Sequence, residues 1–243
     1  MSLATEVALE WGLELGQPFE MSNYSYVAPA GEKAVLKVGL RDDDESLEEA
    51  DALELWDGDG AVRLLRHDRR KRALLLERAS PGSDLARVPE KEARVIAADV
   101  ARRLWQPASA PFRWIGDYVP RWLDEADRKG RELVPLARSL YGALEVGRAT
   151  LVHGDLHHHN LLAHGHRYVA IDPKPMLGEP EFDVASFLWN PLGTAMRLDV
   201  TEARIRAFTA LGLDESRIRA WAVIRGAYLR DDANELQVLR ALV

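Results

Sequence analysis

The fold of this chain is decided by the stretch His153-Gly154-Asp155-Leu156-His157-His158-His159-Asn160. It places an aspartate and an asparagine five positions apart, immediately before a predicted β-hairpin. The hairpin strands are predicted at 160–163 and 167–171, around a His164-Gly165 turn. Because Asp172 follows the second strand, the pattern can bring three oxygen-bearing side chains to one end of the hairpin.

These side chains, Asp155, Asn160 and Asp172, are of the types that phosphoryl transfer requires. In that reaction one carboxylate orients the attacking hydroxyl and accepts its proton. A carboxamide and a second carboxylate can hold magnesium, which prefers oxygen ligands. The motif therefore predicts a kinase-type site.

A lysine in the first part of the chain could complete this set. Lys37 lies in the second strand of a predicted antiparallel hairpin, where it could bind the α and β phosphates of a nucleotide. Its ion-pair partner is predicted to be Glu49, with Glu45 and Glu48 as alternatives. Considered alone, the strand favours an ordinary lysine that faces water; together with the distant His153-Gly154-Asp155 set, it favours the phosphate-binding role.

The first part of the chain is predicted to be rich in strands. They are expected at 24–28, 34–38, 62–65 and 73–76, with turns at 29–32 and 66–72. The acidic stretch 41–45 and the helical spacing of Leu47, Ala50 and Leu53 predict one inserted helix. Ser80-Pro81-Gly82-Ser83 breaks the pattern and is predicted to be a linker.

Helices dominate the rest of the chain. Pro89 fits the first turn of a helix with Ala93, Ile96, Val100 and Leu104 on one face. Further helices are predicted at about 133–144, 201–211 and 214–229, whereas 105–122 receives no assignment. The order of elements is that of an α+β protein.

Composition excludes several classes of function. The chain has 243 residues, 47% of them hydrophobic, and a formal net charge of −7, which disfavours nucleic acid and suits a cationic partner. Without cysteine it can form neither a disulfide nor a thiolate metal site. The N-terminus does not resemble a signal peptide and no apolar run could span a membrane, so we expect a cytoplasmic location. Composition does not define the oligomeric state.

The motifs together resemble a known family. The 153–160 stretch, followed by Ile171-Asp172-Pro173-Lys174-Pro175 and Glu181-Phe182-Asp183, resembles the aminoglycoside phosphotransferase group within the protein-kinase-like fold. It is most similar to the aminoglycoside/hydroxyurea resistance kinases, the subgroup that contains streptomycin phosphotransferases. The resemblance extends from about Trp11 to Asn190, and it is weak after that point.

This resemblance implies two lobes and a set of roles. The N-terminal lobe, with a small antiparallel sheet and one helix, would span 1–79, followed by a hinge at 80–83 and a larger, mainly helical lobe at 84–243. ATP would bind between the lobes. By position the implied roles are catalytic base for Asp155, Mg²⁺ ligands for Asn160 and Asp172, phosphate binding for Lys37 with Glu49, structural support for His153 and Asp183, and adenine contacts for the hinge residues Glu77 to Ala79.

Two motifs of other nucleotide-binding enzymes are absent from this sequence. No G-x-G-x-x-G precedes the first hairpin, and Phe19-Glu20-Met21-Ser22-Asn23 stands where protein kinases carry a glycine-rich flap. The missing glycines argue more strongly against a protein kinase than against a kinase that acts on small molecules. The chain also lacks G-x-x-x-x-G-K-[ST], which excludes a P-loop enzyme at the level of motifs.

Several residues have structural alternatives. His157, His158 and His159 could suggest zinc, although three consecutive side chains cannot easily point at one ion, and polar loop packing is the alternative. Asp183 could cap a helix at 184–189. Asp231 and Asp232 could form an acidic wall for a cationic substrate, or an exposed helix face. The basic turn 66–72 is expected to be solvated.

The expected function is therefore transfer of the γ-phosphate of ATP to a hydroxyl of a small molecule, first of all a streptomycin-type aminoglycoside. A kinase for another hydroxylated compound, such as hydroxyurea, a sugar or an amino alcohol, is the second hypothesis. A nucleotide-binding regulator with little transfer activity is the third.

Overall fold

A computed structural model describes residues 2–19, 25–39, 47–191 and 193–243. The helices in these ranges are α1 (Leu3–Trp11), α2 (Glu49–Trp56), α3 (Glu90–Leu104), α4 (Ile115–Arg128), α5 (Val134–Gly142), α6 (Pro180–Trp189), α7 (Leu198–Thr209), α8 (Glu215–Leu229) and α9 (Ala233–Arg240). The strands are β1 (Ser25–Ala30), β2 (Ala34–Gly39), β3 (Leu64–Asp68), β4 (Ala73–Glu77), β5 (Pro81–Asp84), β6 (Gln106–Pro107), β7 (Thr150–Val152), β8 (Leu161–His164), β9 (Arg167–Ala170) and β10 (Met176–Gly178). Residues 20–23 of the predicted flap and the acidic stretch 41–45 lie outside the described residues.

The N-terminal sheet is antiparallel, with the strand order β1-β2-β4-β3. The predicted β1–β2 hairpin is confirmed, and Lys37 lies in its second strand, paired with Val27 on one side and Leu74 on the other. Pro29 and Ala30, which we predict as turn, belong instead to β1. An edge strand tolerates Pro29 because the missing N–H is not needed for a second neighbour.

A small hydrophobic cluster covers one side of this sheet. No sequence pattern predicted α1, yet Ala4, Val7 and Ala8 pack with Leu36 and Val38 of β2. Ser2 begins the helix, because its hydroxyl accepts a hydrogen bond from Thr5 N at 3.2 Å. This packing fixes the strand that carries Lys37.

The predicted strand 62–65 is displaced. Val62 N donates to Ala170 O at 3.0 Å, so this residue binds the second half of the chain and not the N-terminal sheet. Strand β3 therefore begins at Leu64 and continues through Asp68, into what we predict as the basic turn. The turn itself is shorter, at 69–72.

The predicted linker 80–83 is not a free connection. Pro81–Ser83 belong to β5, which pairs antiparallel with β8 in a sheet of order β5-β8-β9. Residue 84 of β5 pairs with Leu162. The segment that follows the N-terminal sheet is thus held directly against the hairpin after the 153–160 stretch.

Helices form most of the remaining chain. On α3 the buried face contains Ala93, Ala97, Val100 and Leu104, whereas the predicted Ile96 is half-buried. The unassigned segment 105–122 contains β6 and the first half of α4. Helix α8 packs against both α5 and α6, and its Trp221 is fully buried. No helix in the described ranges has the length and apolar character that a membrane crossing requires.

Helix α6 begins earlier than the sequence suggests. Its first residue is Pro180, a position where the missing N–H costs nothing, and Glu179 is the N-cap residue. Asp183 therefore lies inside the first turn, and the alternative that it caps a helix at 184–189 is wrong. Its side chain is used elsewhere, as described next.

Candidate active site

The β8–β9 hairpin places Asn160 and Asp172 at the same end. Leu161 pairs with Ala170, and Ile171 N donates to Asn160 O at 2.9 Å. Asn160 and Asp172 follow immediately outside this pairing. The backbone of the hairpin therefore fixes the two side chains that the sequence predicts as metal ligands.

Lys37 connects the N-terminal sheet with this end of the hairpin. Its Nζ lies 2.6 Å from Glu49 Oε2 and 2.5 Å from Asp172 Oδ1. Burial disfavours the charged form of Lys37, but the two carboxylates outweigh it and raise the pKa of Lys37 above its ordinary value of 10.5. Burial likewise opposes ionisation of Asp172, yet Lys37 outweighs it and lowers the pKa of Asp172. One cation is thus fixed between two carboxylates.

Among the three glutamates considered as partners of Lys37, Glu49 is the one in contact. Glu48 immediately precedes α2, and its Oε2 accepts a hydrogen bond from Arg113 Nε at 3.0 Å. Burial raises the pKa of Glu48, while Arg113 acts in the opposite direction. Glu45 lies outside the described residues.

Asp155 faces two basic side chains. Its Oδ2 lies 3.6 Å from His157 Nε2 and 3.8 Å from Lys174 Nζ. Since His157 Nδ1 accepts a hydrogen bond from His159 N, the Nε2 that faces Asp155 carries the proton of the neutral ring. Burial opposes ionisation of Asp155, but His157, Lys174 and Arg225 outweigh it and hold the pKa of Asp155 well below 3.8. Asp155 is therefore ionised at neutral pH.

Asn160 offers a carbonyl oxygen to the site. Its Nδ2 donates to Asp155 O at 2.9 Å, so Oδ1 is the atom that can bind a cation. The side chain of Asp172 is 51% exposed, although its Oδ1 contacts Lys37. A carboxamide oxygen and an accessible carboxylate are donors that Mg²⁺ accepts, with water and phosphate oxygens completing its shell. The donor types present therefore fit Mg²⁺.

His153 connects the loop that carries Asp155 with helix α2. The ring is fully buried, its Nδ1 accepts from Asp155 N at 3.3 Å, and its Nε2 lies 3.0 Å from Ile171 O. Burial lowers the pKa of His153, so the ring is neutral with its proton on Nε2. The ring also stacks on Trp56, with 6.3 Å between ring centroids.

Asp183 binds the start of the same loop. Its carboxylate oxygens accept hydrogen bonds from His153 N and Gly154 N, both at 2.7 Å. Trp105 Nε1 donates a third, at 3.0 Å. Three N–H donors compensate the fully buried carboxylate, an arrangement that fits the supporting role the resemblance implies.

Gly154 is a position where no other residue fits without rearrangement. Its φ is +83°, and an added Cβ would lie 2.0 Å from Lys174 O. The backbone of Lys174 is held in place because its N donates to His153 O at 2.8 Å. The glycine therefore permits the close approach between the Asp155 loop and the turn after Asp172.

Arg225 is a site residue that sequence reasoning missed. From α8 its guanidinium donates to Gly154 O at 2.9 Å and to Phe182 O at 3.0 Å, and it lies 4.1 Å from the centre of the Phe182 ring. Only 5% of Arg225 is exposed. The available signal was a single charged residue in the otherwise uncharged run from Trp221 to Tyr228.

The three consecutive histidines have different partners. His157 faces Asp155, His159 Nδ1 lies 2.8 Å from Asp84 Oδ2, and His158 stacks on Phe187 at 4.1 Å. Burial, with the charge of a nearby arginine, lowers the pKa of His158 to about 2. No three His, Cys, Asp or Glu side chains gather as metal ligands in the described part of the chain.

The residues predicted to contact adenine, Glu77 to Ala79, begin at the last residue of β4. Glu77 N donates to Arg63 O at 2.8 Å and Arg78 N donates to Lys33 O at 2.9 Å, so both N–H groups are used within the fold. Glu77 Oε1 also lies 3.5 Å from His164 Nε2. Ala79, which follows Arg78, is half-buried and packs against the larger of the two hydrophobic clusters.

Asp231 and Asp232 have local partners. Asp231 Oδ2 lies 2.8 Å from Arg131 Nη1, with 79% of the Asp231 side chain exposed. Asp232 caps α9, since its Oδ1 accepts hydrogen bonds from Asn234 N and Glu235 N at 3.0 and 3.1 Å. These contacts account for both carboxylates without a substrate.

Known proteins resemble this chain over most of its length. Residues 18–231 match the family model of the aminoglycoside/hydroxyurea antibiotic resistance kinases. A streptomycin 6-kinase of Streptomyces glaucescens is 34% identical, over 90% of this chain and 78% of that protein. A hydroxyurea phosphotransferase of Kitasatospora aureofaciens is 35% identical, over 88% of this chain and 67% of that protein.

A solved structure shares the fold. The crystal structure of a choline/ethanolamine kinase family protein from Mesorhizobium loti matches with a TM-score of 0.70, covering 99% of this chain and 95% of that one at 16% identity. Such a likeness shows the fold alone, and it confirms the predicted protein-kinase-like architecture. The family match confirms the resemblance found in the sequence: this chain belongs to the aminoglycoside/hydroxyurea antibiotic resistance kinase family.

Proposed function

We propose that this protein transfers the γ-phosphate of ATP to a hydroxyl of a small molecule, with a streptomycin-type aminoglycoside as the first candidate acceptor. One observation carries the proposal. Lys37 Nζ contacts Asp172 at the hairpin end where Asn160 also lies, and Asn160 is bonded to the backbone of Asp155. In a chain that belongs to a kinase family, this is the combination of groups that phosphoryl transfer requires.

In this proposal ATP binds between two lobes, 1–79 and 84–243, which the segment 80–83 connects. Adenine would contact the backbone of Glu77 to Ala79. Because the N–H groups of Glu77 and Arg78 already have partners, the Ala79 N–H and the carbonyl groups are the candidates for adenine. Lys37, oriented by Glu49, would bind the α and β phosphates.

The reaction would be a direct transfer. The acceptor oxygen bonds to the γ-phosphorus while the bond between that phosphorus and the β–γ bridging oxygen breaks, and ADP leaves. Asp155, ionised at neutral pH, orients the acceptor hydroxyl and takes its proton. Asn160 and Asp172 would hold Mg²⁺, which neutralises charge on the phosphate oxygens when it is bound. His153 and Asp183 would keep the Asp155 loop in position.

The acceptor is expected to be cationic. A net charge of −7 favours the approach of such a molecule, and one relative in the family is a streptomycin 6-kinase. Hydroxyurea is the second candidate, because a hydroxyurea phosphotransferase is about equally similar, at 35% identity. Asp231 and Asp232 contribute no support, since Arg131 and the end of α9 already engage them.

The test is an ADP-release assay with Mg·ATP and one acceptor at a time: streptomycin, a second aminoglycoside, hydroxyurea, a sugar and an amino alcohol. Mass spectrometry should detect a phosphorylated acceptor. Asp155→Ala should lower kcat by at least about 100-fold and leave the Kd for Mg·ATP, measured by calorimetry, within about threefold. Asp124→Ala, on the exposed face of α4, is the control and should retain full activity.

The outcomes separate the hypotheses. Phosphorylated streptomycin supports the first candidate, and phosphorylated hydroxyurea alone moves the assignment to the second. Nucleotide binding without ADP release for any acceptor would indicate a regulator and contradict the proposed transfer. Full activity of Asp155→Ala would remove Asp155 from the role of base.

A further inference from the structure

A largely buried ion pair holds the beginning of helix α2. Glu48 Oε2 accepts a hydrogen bond from Arg113 Nε at 3.0 Å, and Arg113 Nη2 also lies 3.0 Å from the same oxygen. The two side chains are 13% and 17% exposed, and 65 positions separate them in the chain. Because both charges are largely removed from water, loss of one partner is costly for the other.

Arg113 is fixed relative to the Asp155 loop. Its carbonyl oxygen accepts a hydrogen bond from Leu177 N at 2.7 Å, and Trp114 forms a bridge with the same residue. Leu177 lies in β10, which pairs with β7, the strand that leads into His153. The residue that carries the guanidinium is thus hydrogen-bonded to the β7–β10 pair, and β7 leads into the loop that carries Asp155.

The other end of α2 has its own anchor. Trp56 Nε1 donates to Leu104 O at 2.8 Å, and the Trp56 ring stacks on His153. Helix α2 is therefore held to the C-terminal part of the chain at both ends. Glu49, the partner of Lys37, lies one residue from the Glu48 anchor and about seven residues, or two helical turns, from Trp56.

We propose that the Glu48–Arg113 pair is a latch that sets the position of the first turn of α2, and that Arg113 is a positioning residue for nucleotide binding by Lys37. Without the arginine, the carboxylate of Glu48 would move toward water, and the turn that carries Glu49 would move with it. Lys37 would then lose the partner that orients it. The nucleotide part of this inference rests on the proposed function, whereas the effect on α2 does not.

A double-mutant cycle tests the latch in the full-length protein. The variants are Arg113→Met, Glu48→Gln and the double mutant, with the Kd for Mg·ADP measured by calorimetry. We expect Arg113→Met to weaken binding about tenfold, and to add less than about twofold when Glu48→Gln is already present. Arg240→Met is the matched control, because Arg240 pairs with Glu132 while both side chains are at least half exposed. It should change Kd by less than about twofold.

Hydrogen exchange gives a second measurement that needs no nucleotide. In Arg113→Met and in Glu48→Gln, the amide of Ala52, which closes the first turn of α2 by donating to Glu48 O at 3.1 Å, should exchange at least about fivefold faster, with little change around Trp56. Arg240→Met should leave exchange in α2 unchanged. Glu48→Gln supplies the same comparison if Arg113→Met is too unstable to purify.

The exchange and binding measurements together decide whether the Glu48–Arg113 pair acts as a latch. Unchanged exchange in α2, or an equal effect of Arg113→Met in both backgrounds of the cycle, overturns the latch. A wild-type protein that does not bind nucleotide contradicts the proposed function, and the exchange comparison still decides the effect on α2. Faster exchange confined to the first turn, together with coupled Kd values, supports the latch.

Discussion

Lys37 Nζ lies 2.5 Å from Asp172 Oδ1, although 135 positions separate the two residues in the chain. Lys37 comes from an inner strand of the N-terminal sheet, and Asp172 follows a hairpin in the other half. Glu49, only 1% exposed, shares the same cation. The contact thus joins the two halves of the fold through a single positive charge that serves two carboxylates.

Replacing this cation should destabilise the protein as well as the nucleotide complex. We expect Lys37→Met to lower the free energy of unfolding by about 3 kcal/mol, because the buried carboxylate of Glu49 loses its ion pair with Lys37. Urea unfolding monitored by tryptophan fluorescence measures this loss. Lys129→Met is the control, since Lys129 pairs with Glu125 on an exposed helix face and should cost less than about 0.5 kcal/mol. Equal losses in the two variants would contradict a structural role for the Lys37 charge.

The sequence was sufficient for the parts of the site that depend on local pattern. The two short apolar runs around a turn-rich stretch located β2 and therefore Lys37, and the hairpin signal placed Asn160 and Asp172 at one end. The sequence pattern was not sufficient where a contact between distant segments decides the secondary structure. The pattern predicts Val62 in a strand, yet its N–H donates to Ala170 O and the strand starts at Leu64.

Side-chain partners were the hardest to predict. Glu48 and Glu49 are neighbours with the same chemistry, and only the helix orientation directs one to Arg113 and the other to Lys37. Arg225 lies in the otherwise uncharged second half of α8 with no motif around it, so nothing local indicated its contact with Gly154. Such contacts depend on how α2 and α8 pack, and residue spacing does not encode packing.

Arg225 should hold the loop that carries Asp155, because its guanidinium donates to Gly154 O. We expect Arg225→Met to lower the free energy of unfolding by about 2 kcal/mol, because Gly154 O and Phe182 O lose their charged donor. It should also lower kcat by at least about tenfold, since the backbone that carries Asp155 loses one of the contacts that hold it. Unfolding and ADP-release measurements check the two effects. Arg138→Met, at an exposed ion pair, should show neither, and loss of stability without loss of kcat would restrict Arg225 to folding.

The low pKa of Asp155 predicts the pH dependence of the reaction. Burial opposes ionisation, but His157, Lys174 and Arg225 keep the pKa of Asp155 below 3.8. The base is then fully ionised from neutral pH down to about pH 5, so Asp155 should produce no acid limb in kcat/KM over that range. Phosphorylated acceptor, quantified by mass spectrometry across pH 5 to about 8, gives the profile. A limb near pH 6 that persists in His157→Gln would contradict the assignment.

The same shift has a consequence for stability. A carboxylate whose pKa is lower in the folded state contributes stability that is fully present above its unfolded value of 3.8 and is lost as pH falls through the folded value. The difference in unfolding free energy between wild type and Asp155→Asn should therefore be constant above about pH 5 and shrink below about pH 4. Lys174→Met removes one of the charges that lower the pKa of Asp155 in the folded state. In that background the decrease should therefore be centred at a higher pH.

Gly154 allows a strict comparison between two glycines with similar backbone conformations. Gly154 has φ +83° and Gly165 has φ +60°, but an added Cβ meets Lys174 O at 2.0 Å in the first case and open space in the second. Gly165→Ala should lower the free energy of unfolding by about 1–2 kcal/mol, only through the strain of the left-handed conformation, and should retain kcat. Gly154→Ala adds a clash with backbone that cannot move freely, because Lys174 N is bonded to His153 O.

Gly154→Ala should therefore be destabilised by at least about 2 kcal/mol more than Gly165→Ala, and its kcat should fall by at least about 100-fold. Unfolding and ADP-release assays on the two variants measure both quantities. Since the strain of a positive φ is common to them, the difference isolates the clash between the Asp155 loop and the turn after Asp172. Equal stability and equal kcat would mean that these two segments can separate at little cost, and the close approach at Gly154 would then not be what positions Asp155.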